Sequence, residues 1–569
     1  MENLLPAAEQ AKVDAKFLRG TIQEELENTS DMFSKAAVGV LKFHGTYQQD
    51  DRDVRKGGPK QYSCMVRVGV PGGVLTPDQY LTLDRLANIG DGSLRITTRQ
   101  DIQYHYVPKP RLRELIRGLN DSYLSTLAAC GDVVRNTISC PAPFENEHRQ
   151  NIQEYVTFLS RSLKPKTAAY YDIWINGEHS ATAEEPSGPE GRTEPLYGLT
   201  YLPRKFKIGF AFPGDNTTDI YANDIGIVPR YGSGQLTGFT ILAGGGMGQS
   251  AGVKASHPRM ADPICSIGPS EEELLEVATA IVTIHRDFGN RTNRKLARLK
   301  YVLDDWGVEK FKTELEARVG RPLAPPEPLT WTRAEDYLGW HRQGMDENGA
   351  PIWFTGVRIV SGRIRDFSEK HRFRTGLREI VQKFGSEVRL TCQQNLYLCG
   401  IRDADRSAIA ATLRNCGLVE PETLPPVLRH AIACPALPTC ALAITESERI
   451  MPQLVDEIQA ELNSVGLPDQ VVHFRTSGCP NGCSRPYTSE IGIVGASLNM
   501  YSIYLGASPL GTRLGSLFAQ NVKREQIVPR LRPVLSFYKE ERQLNEAFGD
   551  FCHRVGMEAL REIASPVAA

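Results

Sequence analysis

The spacing of apolar residues changes period repeatedly along this chain, and each change marks an element. Ala11–Glu27 has the spacing of an amphipathic helix. The polar, turn-rich F-H-G-T-Y-Q-Q-D-D-R-D that follows (Phe43 to Asp53) reads, on its chemistry alone, as a solvated loop. From Gln61 the pattern alternates (Y-S-C-M-V-R-V-G-V), which predicts a strand ending at the turn Pro71-Gly72-Gly73. Asp78–Ile89 returns to helical spacing, and Ser93–Val107 brings two strands with Arg95, Arg99 and His105 between them. Further along come a helix near Asn146–Leu163, an acidic loop at Glu184–Glu194 and a strand over Leu202–Phe212 with Lys205 and Lys207 on one face. Helices are predicted over Glu271–Phe288 and Lys295–Val319, and Pro-rich Arg321–Pro328 is the best linker. Two lysines on one strand face serve equally well as edge protection. The run A-G-G-G-M-G (Ala243 to Gly248) lacks the spacing of a phosphate loop, so tight turning or close backbone approach explains it better.

The chain also repeats itself. L-R-I-T-T-R-Q-D-I-Q-Y from Leu94 recurs as V-R-L-T-C-Q-Q-N-L-Y-L from Val388, and the same offset of 294 carries Cys140-Pro141-Ala142 onto Cys434-Pro435-Ala436. Y-A-N-D-I-G-I-V from Tyr221 recurs as Y-T-S-E-I-G-I-V from Tyr487. Three matches in the same order imply a duplication, hence a pseudo-twofold fold with a site at the junction of its halves.

The densest chemistry lies between Cys434 and Cys483. C-P-A-L-P-T-C and, after a helical interval, G-C-P-N-G-C place thiols at Cys434, Cys440, Cys479 and Cys483 on backbone broken by Pro435, Pro438, Pro480 and Gly482. Four thiolates gathered by irregular backbone suit an iron–sulfur cluster. The competing readings are zinc, which favours tighter C-x2-C knuckles, two disulfides, and four merely buried cysteines. Seven cations (Arg67, Arg95, Arg99, Arg135, Arg204, Lys205 and Lys207) fall in or near the repeat-bearing segments, and converging buried cations imply a polyanionic ligand.

Composition narrows the rest. With 66 Lys+Arg against 67 Asp+Glu in 569 residues, bulk-charge binding to nucleic acid is disfavoured. The first twenty residues lack an apolar core, no stretch is long and apolar enough for a membrane span, and the cysteines outside the central four are scattered. Together these point to a soluble, cytoplasmic protein with reduced thiols. No nucleotide fingerprint is present, so reducing equivalents are expected from a partner protein.

With these residues in view, the chain resembles the sulfite/nitrite reductase family that couples sirohaem to a [4Fe–4S] cluster. F-L-R-G-T-I-Q-E-E-L and F-H-G-T-Y-Q-Q-D-D-R-D point within it to the haemoprotein (beta) component of assimilatory sulfite reductase. Y-L-P-R-K-F-K, D-F-G-N-R-T-N-R-K, the C-x5-C…C-x3-C set and F-G-D-F extend the likeness over nearly the whole chain. The resemblance implies an α/β (α+β) fold of three domains with pseudo-twofold symmetry. Beyond an arm at 1–60, these would be a central ferredoxin-like domain from 61–128 plus 329–420, a first sirohaem-binding domain at 129–328, and a second at 421–569 that also binds the cluster. It implies that Cys434, Cys440, Cys479 and Cys483 hold the cluster, with Cys483 shared with the sirohaem iron. Arg67, Arg135, Lys205 and Lys207 then bind substrate, while Arg95, Arg99, Gln103, His105, Arg204 and Gln394 contact sirohaem. The implied reaction is six-electron reduction of sulfite to sulfide, with electrons from an NADPH-dependent flavoprotein subunit or ferredoxin. Nitrite reduction to ammonia is the alternative, and a non-catalytic iron–sulfur electron carrier a more distant one. Gly69, Ser484 and Pro486 depart from the family's usual residues.

Overall fold

The computed structural model describes residues 5–55, 57–145, 149–166, 172–175, 178–182 and 194–565. The acidic loop expected at Glu184–Glu194 lies outside these residues except for Glu194, as do Asn146 to His148 of the helix expected there.

Two five-stranded antiparallel sheets form a matched pair. One runs Thr46–Asp50, Tyr62–Val68, Ile102–Val107, Leu94–Ile96, Arg363–Ile364; the other runs Gly339–Met345, Pro351–Val357, Leu396–Arg402, Glu387–Leu390, Val74–Leu75. Each half lends a two-residue strand to the edge of the other half's sheet. One core therefore draws on Val66, Leu83, Leu94 and Ile102 from the first half and on Ile359, Leu377, Val388 and Leu396 from the second. The hairpin turns within the repeat are superimposable in their bonding. Thr97 Oγ1 accepts from the N–H groups of Arg99 and Asp101, both at 3.1 Å, and Thr391 Oγ1 accepts from those of Gln393 at 3.2 Å and Asn395 at 3.1 Å. Gln100 and Gln394 both take a left-handed backbone there.

Two further sheets are related in the same way. Asp262–Ile267, Gln235–Ala243, Ile225–Gly232 and Ile208–Phe210 make one, with the last pair parallel. Ile432–Ala433, Phe474–Ser477, Ile491–Ser497, Met500–Leu505 and Ser516–Lys523 make the other. Helices Glu271–Phe288 and Leu299–Val319 bury their apolar sides in the core of the first, and Met451–Ser464 and Ile527–Glu541 in the core of the second. The mixed helix-and-sheet class and the duplication read from the sequence are thus borne out.

Local signals account for several boundaries. Pro77–Leu86 starts at a reciprocal capping box between Thr76 and Gln79, and Ser270 caps Glu271–Phe288 through the N–H of Glu273. Other expectations need correcting. The helix expected over Ala11–Glu27 is two short helices, Ala7–Asp14 and Ile22–Glu27, separated by Lys16, Phe17 and Leu18 at positive φ. That break buries Leu18, whose carbonyl lies 2.7 Å from His44 Nε2. The expected loop at Phe43–Asp53 contains strand Thr46–Asp50, which pairs in register with Tyr62–Val68, and leads into a helical turn, Arg52–Arg55. Alternation there was hidden because the strand lies at the sheet's edge and is only half-buried. The strand expected from Leu202 begins at Ile208, although Phe206 bridges Val134 and is fully buried between half-buried Lys205 and Lys207. In Ala243–Gly248 the approach is to the chain's own backbone: a side chain at Gly245 would collide with the carbonyls of Tyr221 and Asn223.

Candidate active site

The four sheets meet around the cysteines. Cys434 follows strand Ile432–Ala433, and Cys479 and Cys483 follow Phe474–Ser477, its parallel neighbour. Gln394 clamps the first strand, donating to Ala433 O at 3.0 Å while its oxygen accepts from Ala433 N at 3.3 Å. The duplicated Gln100 accepts from Ser139 N at 2.9 Å, one residue before Cys140. Symmetry-related glutamines therefore set both C-P-A segments.

Cys434 and Cys479 are buried, Cys440 is half-buried and Cys483 is exposed, and all twelve cysteines are free thiols. Gly478 N–H points at Cys434 Sγ (3.2 Å), and Asn481 Nδ2 at Cys479 Sγ (3.5 Å). Burial, reinforced by Cys483, pushes Cys434 up to about 12 and Cys479 up to about 11, and raises Cys440 as well. Such thiols ionise only when positive charge is brought among them. Among the described residues no three His, Cys, Asp or Glu side chains could hold one metal ion. The four thiols are near enough to interact as charges, and four thiols gathered on irregular backbone suit a cluster with its own iron and sulfide.

A row of polar residues crosses the first sheet beside this site. Arg67 stands opposite Gln103, Gln103 opposite Arg95, and Arg95 opposite Arg363, on four successive strands. With its amide oriented as the neighbours require, Gln103 accepts from Arg67 Nη2 at 2.7 Å and Nε at 3.2 Å. Glu448 closes the row, accepting from Arg95 Nε at 3.1 Å and from Arg363 Nε at 2.9 Å and Nη2 at 3.1 Å. Arg95 also donates to Ala433 O at 2.8 Å.

Arg67, Lys205 and Lys207 all lie within electrostatic reach of exposed Cys483. Burial lowers Lys205 to about 7, against the pull of Cys483, with Arg204, Arg135 and Arg298 adding to the fall. Lys207 is held well below the ordinary lysine value by burial, then by Lys205, Arg298 and Arg99. Among the described residues the Arg135 side chain bonds Gly131 O alone, through Nε (3.2 Å) and Nη2 (3.1 Å), and Arg204 stands 4.0 Å from Asp132. Arg99 is largely spent on the protein: Nη1 donates to Asn223 Oδ1 (2.8 Å) and Nη2 to Asn136 O (2.5 Å) and Ile208 O (2.9 Å). Its Nε and both ring nitrogens of His105 are buried without partners among the described residues. Orphaned donors and crowded cations of this kind fit a bound group rich in carboxylates.

Four residues given no role from the sequence, Thr98, Asp219, Arg475 and Arg485, join the site to its surroundings. Arg485 donates to Thr98 O at 3.0 Å and Cys392 O at 2.9 Å, and Thr98 Oγ1 donates to Cys483 O at 3.0 Å. Arg485 and Arg475 share Asp219, at 2.6 and 2.5 Å, all three being almost fully buried. The departing Ser484 is buried as well, its hydroxyl donating to Thr476 O at 2.6 Å.

Four free cysteines beside a crowd of buried cations, where duplicated halves meet, fit a redox protein. The chain belongs to the nitrite and sulphite reductase family. The family's nitrite and sulphite reductase 4Fe-4S domain matches residues 157–323 and 426–568, and its ferredoxin-like half domain matches 57–122 and 346–416, each twice. The chain is 41% identical to a Synechococcus elongatus protein named sulfite reductase [ferredoxin], over 98% of this chain and 91% of that one. It is 42% identical to a Shewanella pealeana sulfite reductase [NADPH] hemoprotein beta-component, over 98% of each. The solved structure of the Mycobacterium tuberculosis NirA protein has the same fold, with a TM-score of 0.76 at 24% identity over 98% of both chains.

Proposed function

We propose that this protein is a sulfite reductase haemoprotein, reducing sulfite to sulfide with electrons supplied by a partner protein. The observation that carries the reading is the exposed Cys483 within electrostatic reach of Arg67, Lys205 and Lys207, while the other three cysteines are more buried. Cys434, Cys440, Cys479 and Cys483 would hold a [4Fe–4S] cluster. Sirohaem would fill the pocket against His105, Arg99 and Arg204, and the pair would deliver the six electrons that the reaction needs.

The chain's own residues do the rest. Arg67, held by Gln103, and Arg135, held by Gly131 O, would set fixed guanidinium charge beside a small dianion. Each S–O cleavage develops negative charge on oxygen, which fixed cations stabilise and which must be protonated before water leaves. Lys205, brought near neutrality, and Lys207 beside it are the proton donors. A bound anion offsets the repulsion between these cations, so the site is complementary to sulfite and ill-suited to stand empty. The proposal includes the division into an arm (1–60), a central domain (61–128 plus 329–420) and two cofactor domains (129–328, 421–569), and a cytoplasmic location. Among the described residues no helix is long and apolar enough to cross a membrane. The two relatives are named for different donors, ferredoxin and NADPH, so the proposal specifies a donor protein and leaves its class to assay.

The test is the absorption spectrum of protein from sirohaem-making cells, with iron and acid-labile sulfide assayed, followed by turnover of sulfite and nitrite. A Soret band, iron in excess of labile sulfide and faster sulfite turnover are expected. Lys207→Ala should slow sulfite reduction by at least tenfold with cofactor content retained. Parental turnover in that variant would remove Lys207 from the reaction, and the absence of a Soret band would sink the reading.

A further inference from the structure

We propose that Arg52 is a positioning residue for the cluster: it fixes the loop that carries Cys440 and places a positive charge beside it that favours cluster reduction. This rests on the [4Fe–4S] reading above.

The segment from Cys434 to Ala443 has little regular structure of its own. Its internal bonds include Cys440 N to Ala436 O and Ala443 N to Cys440 O, each 3.0 Å, and Leu442 stands 67% exposed. The outer side of the loop is held from elsewhere in the chain. Arg52 Nε donates to Pro438 O at 3.3 Å, Nη1 to Ala443 O at 3.0 Å and Nη2 to Cys440 O, while Arg52 N–H donates to Pro438 O at 3.4 Å. A single guanidinium thus gathers three carbonyls spaced along the loop, using donors from both edges of its plane, which a lysine cannot reproduce.

The mount for Arg52 is itself braced. Asp51 Oδ1 caps the turn Arg52–Arg55, accepting from Asp53 N at 2.8 Å and Val54 N at 3.3 Å. Its Oδ2 accepts from Tyr106 OH at 2.9 Å, at the end of strand Ile102–Val107. Asp53 pairs with Arg449, just beyond the loop. A path of bonds therefore runs from the central sheet through Tyr106 and Asp51 to Arg52, and from there to the cluster loop.

The charge matters separately from the bonds. Arg52 has no carboxylate partner among the described residues, and its acceptors are neutral carbonyls, so its positive charge remains unpaired beside the loop. A cluster held by four thiolates becomes more negative when it accepts an electron, and a fixed cation stabilises that form more than the oxidised one. The step is a one-electron transfer in which no bond is made or broken, and the electron comes from the donor protein.

The experiment is redox titration of the purified holoprotein, followed by EPR of the reduced cluster, for the parent, Arg52→Lys and Arg52→Gln. Iron, labile sulfide, sirohaem and far-UV circular dichroism are measured on each sample. Arg52→Lys keeps the charge and loses the fork, so it should hold a near-parental midpoint with less iron and sulfide per chain. Arg52→Gln loses the charge, and its cluster should bind the electron about tenfold less favourably, a fall of about 59 mV. Loss of cluster from Arg52→Gln with parental circular dichroism would also support the loop-holding role. A parental midpoint with full iron and sulfide in Arg52→Gln would overturn the proposal, as would unfolding of both variants. A parent without labile sulfide would instead overturn the cluster reading beneath it.

Discussion

Replacing Glu448 by Gln removes the one carboxylate that lies between Arg95 and Arg363. Those side chains are 3% and 15% exposed, and Glu448 is 16% exposed, so solvent does little to screen the change. Burial by itself would raise the Glu448 pKa, but Arg363 and Arg95 outweigh it and hold the acid at about 2, against an ordinary 4.5. At ~1.4 kcal/mol per decade this difference is on the order of 3 kcal/mol, within the range of ~3–5 kcal/mol for breaking a buried ion pair. Arg95, already below the ordinary arginine value because of burial, is the partner left worse off. Since the folded pKa is depressed, the contribution is fully present above pH 4.5 and is lost as pH falls through about 2. The assay is urea unfolding of parent and Glu448→Gln, followed by tryptophan fluorescence and circular dichroism, at pH 7 and at steps below 4.5. The expected result is a loss of about 3 kcal/mol in the earliest transition at neutral pH, with the gap narrowing towards pH 2. Pairing Glu448→Gln with Arg363→Gln should recover part of the loss. A neutral-pH difference below about 0.5 kcal/mol would refute the claim that this carboxylate compensates the row, because exposed pairs contribute that little.

Two further predictions follow from the symmetry. Gln394→Leu should release Ala433 and lower iron and labile sulfide per chain. The related Gln100→Leu, which frees Ser139 instead, should cost about 1–3 kcal/mol of stability with cluster content retained; equal iron loss in both would contradict the assignment. Asp219→Asn should leave Arg475 and Arg485 as buried cations, lowering stability by about 3–5 kcal/mol and loosening the Cys483 turn, read as a lower melting temperature and a shifted Soret band.

Much of this was legible in the residues because the local causes are local. Thr97 and Thr391 make the same turn with the same hydroxyl bonds, so the repeat in letters is a repeat in geometry. The cysteines declare themselves by spacing and by the Pro and Gly around them. Glu448 could not be found this way: it is an ordinary acid in T-E-S-E-R until four strands drawn from residues 62–364 carry Arg95 and Arg363 to it. Arg99 shows the converse. Its sequence neighbourhood marked it for a ligand, but not that Asn136, Ile208 and Asn223 would occupy both of its Nη groups and leave Nε alone for one. The strand at Thr46–Asp50 was misread as a loop because its pairing partner, not its own composition, makes it a strand.

Asp219 and Arg485 occupy the same place in the two copies, each two residues before the repeated tyrosine and each with a left-handed backbone. Here they are the acid and the base of one ion pair. Two identical copies could not have made it, since acid would have met acid or base met base. The contact became available only once the two copies were free to differ. It therefore records their divergence, and it makes the halves non-interchangeable: a chimera carrying two first halves or two second halves would bring like charges together at this contact.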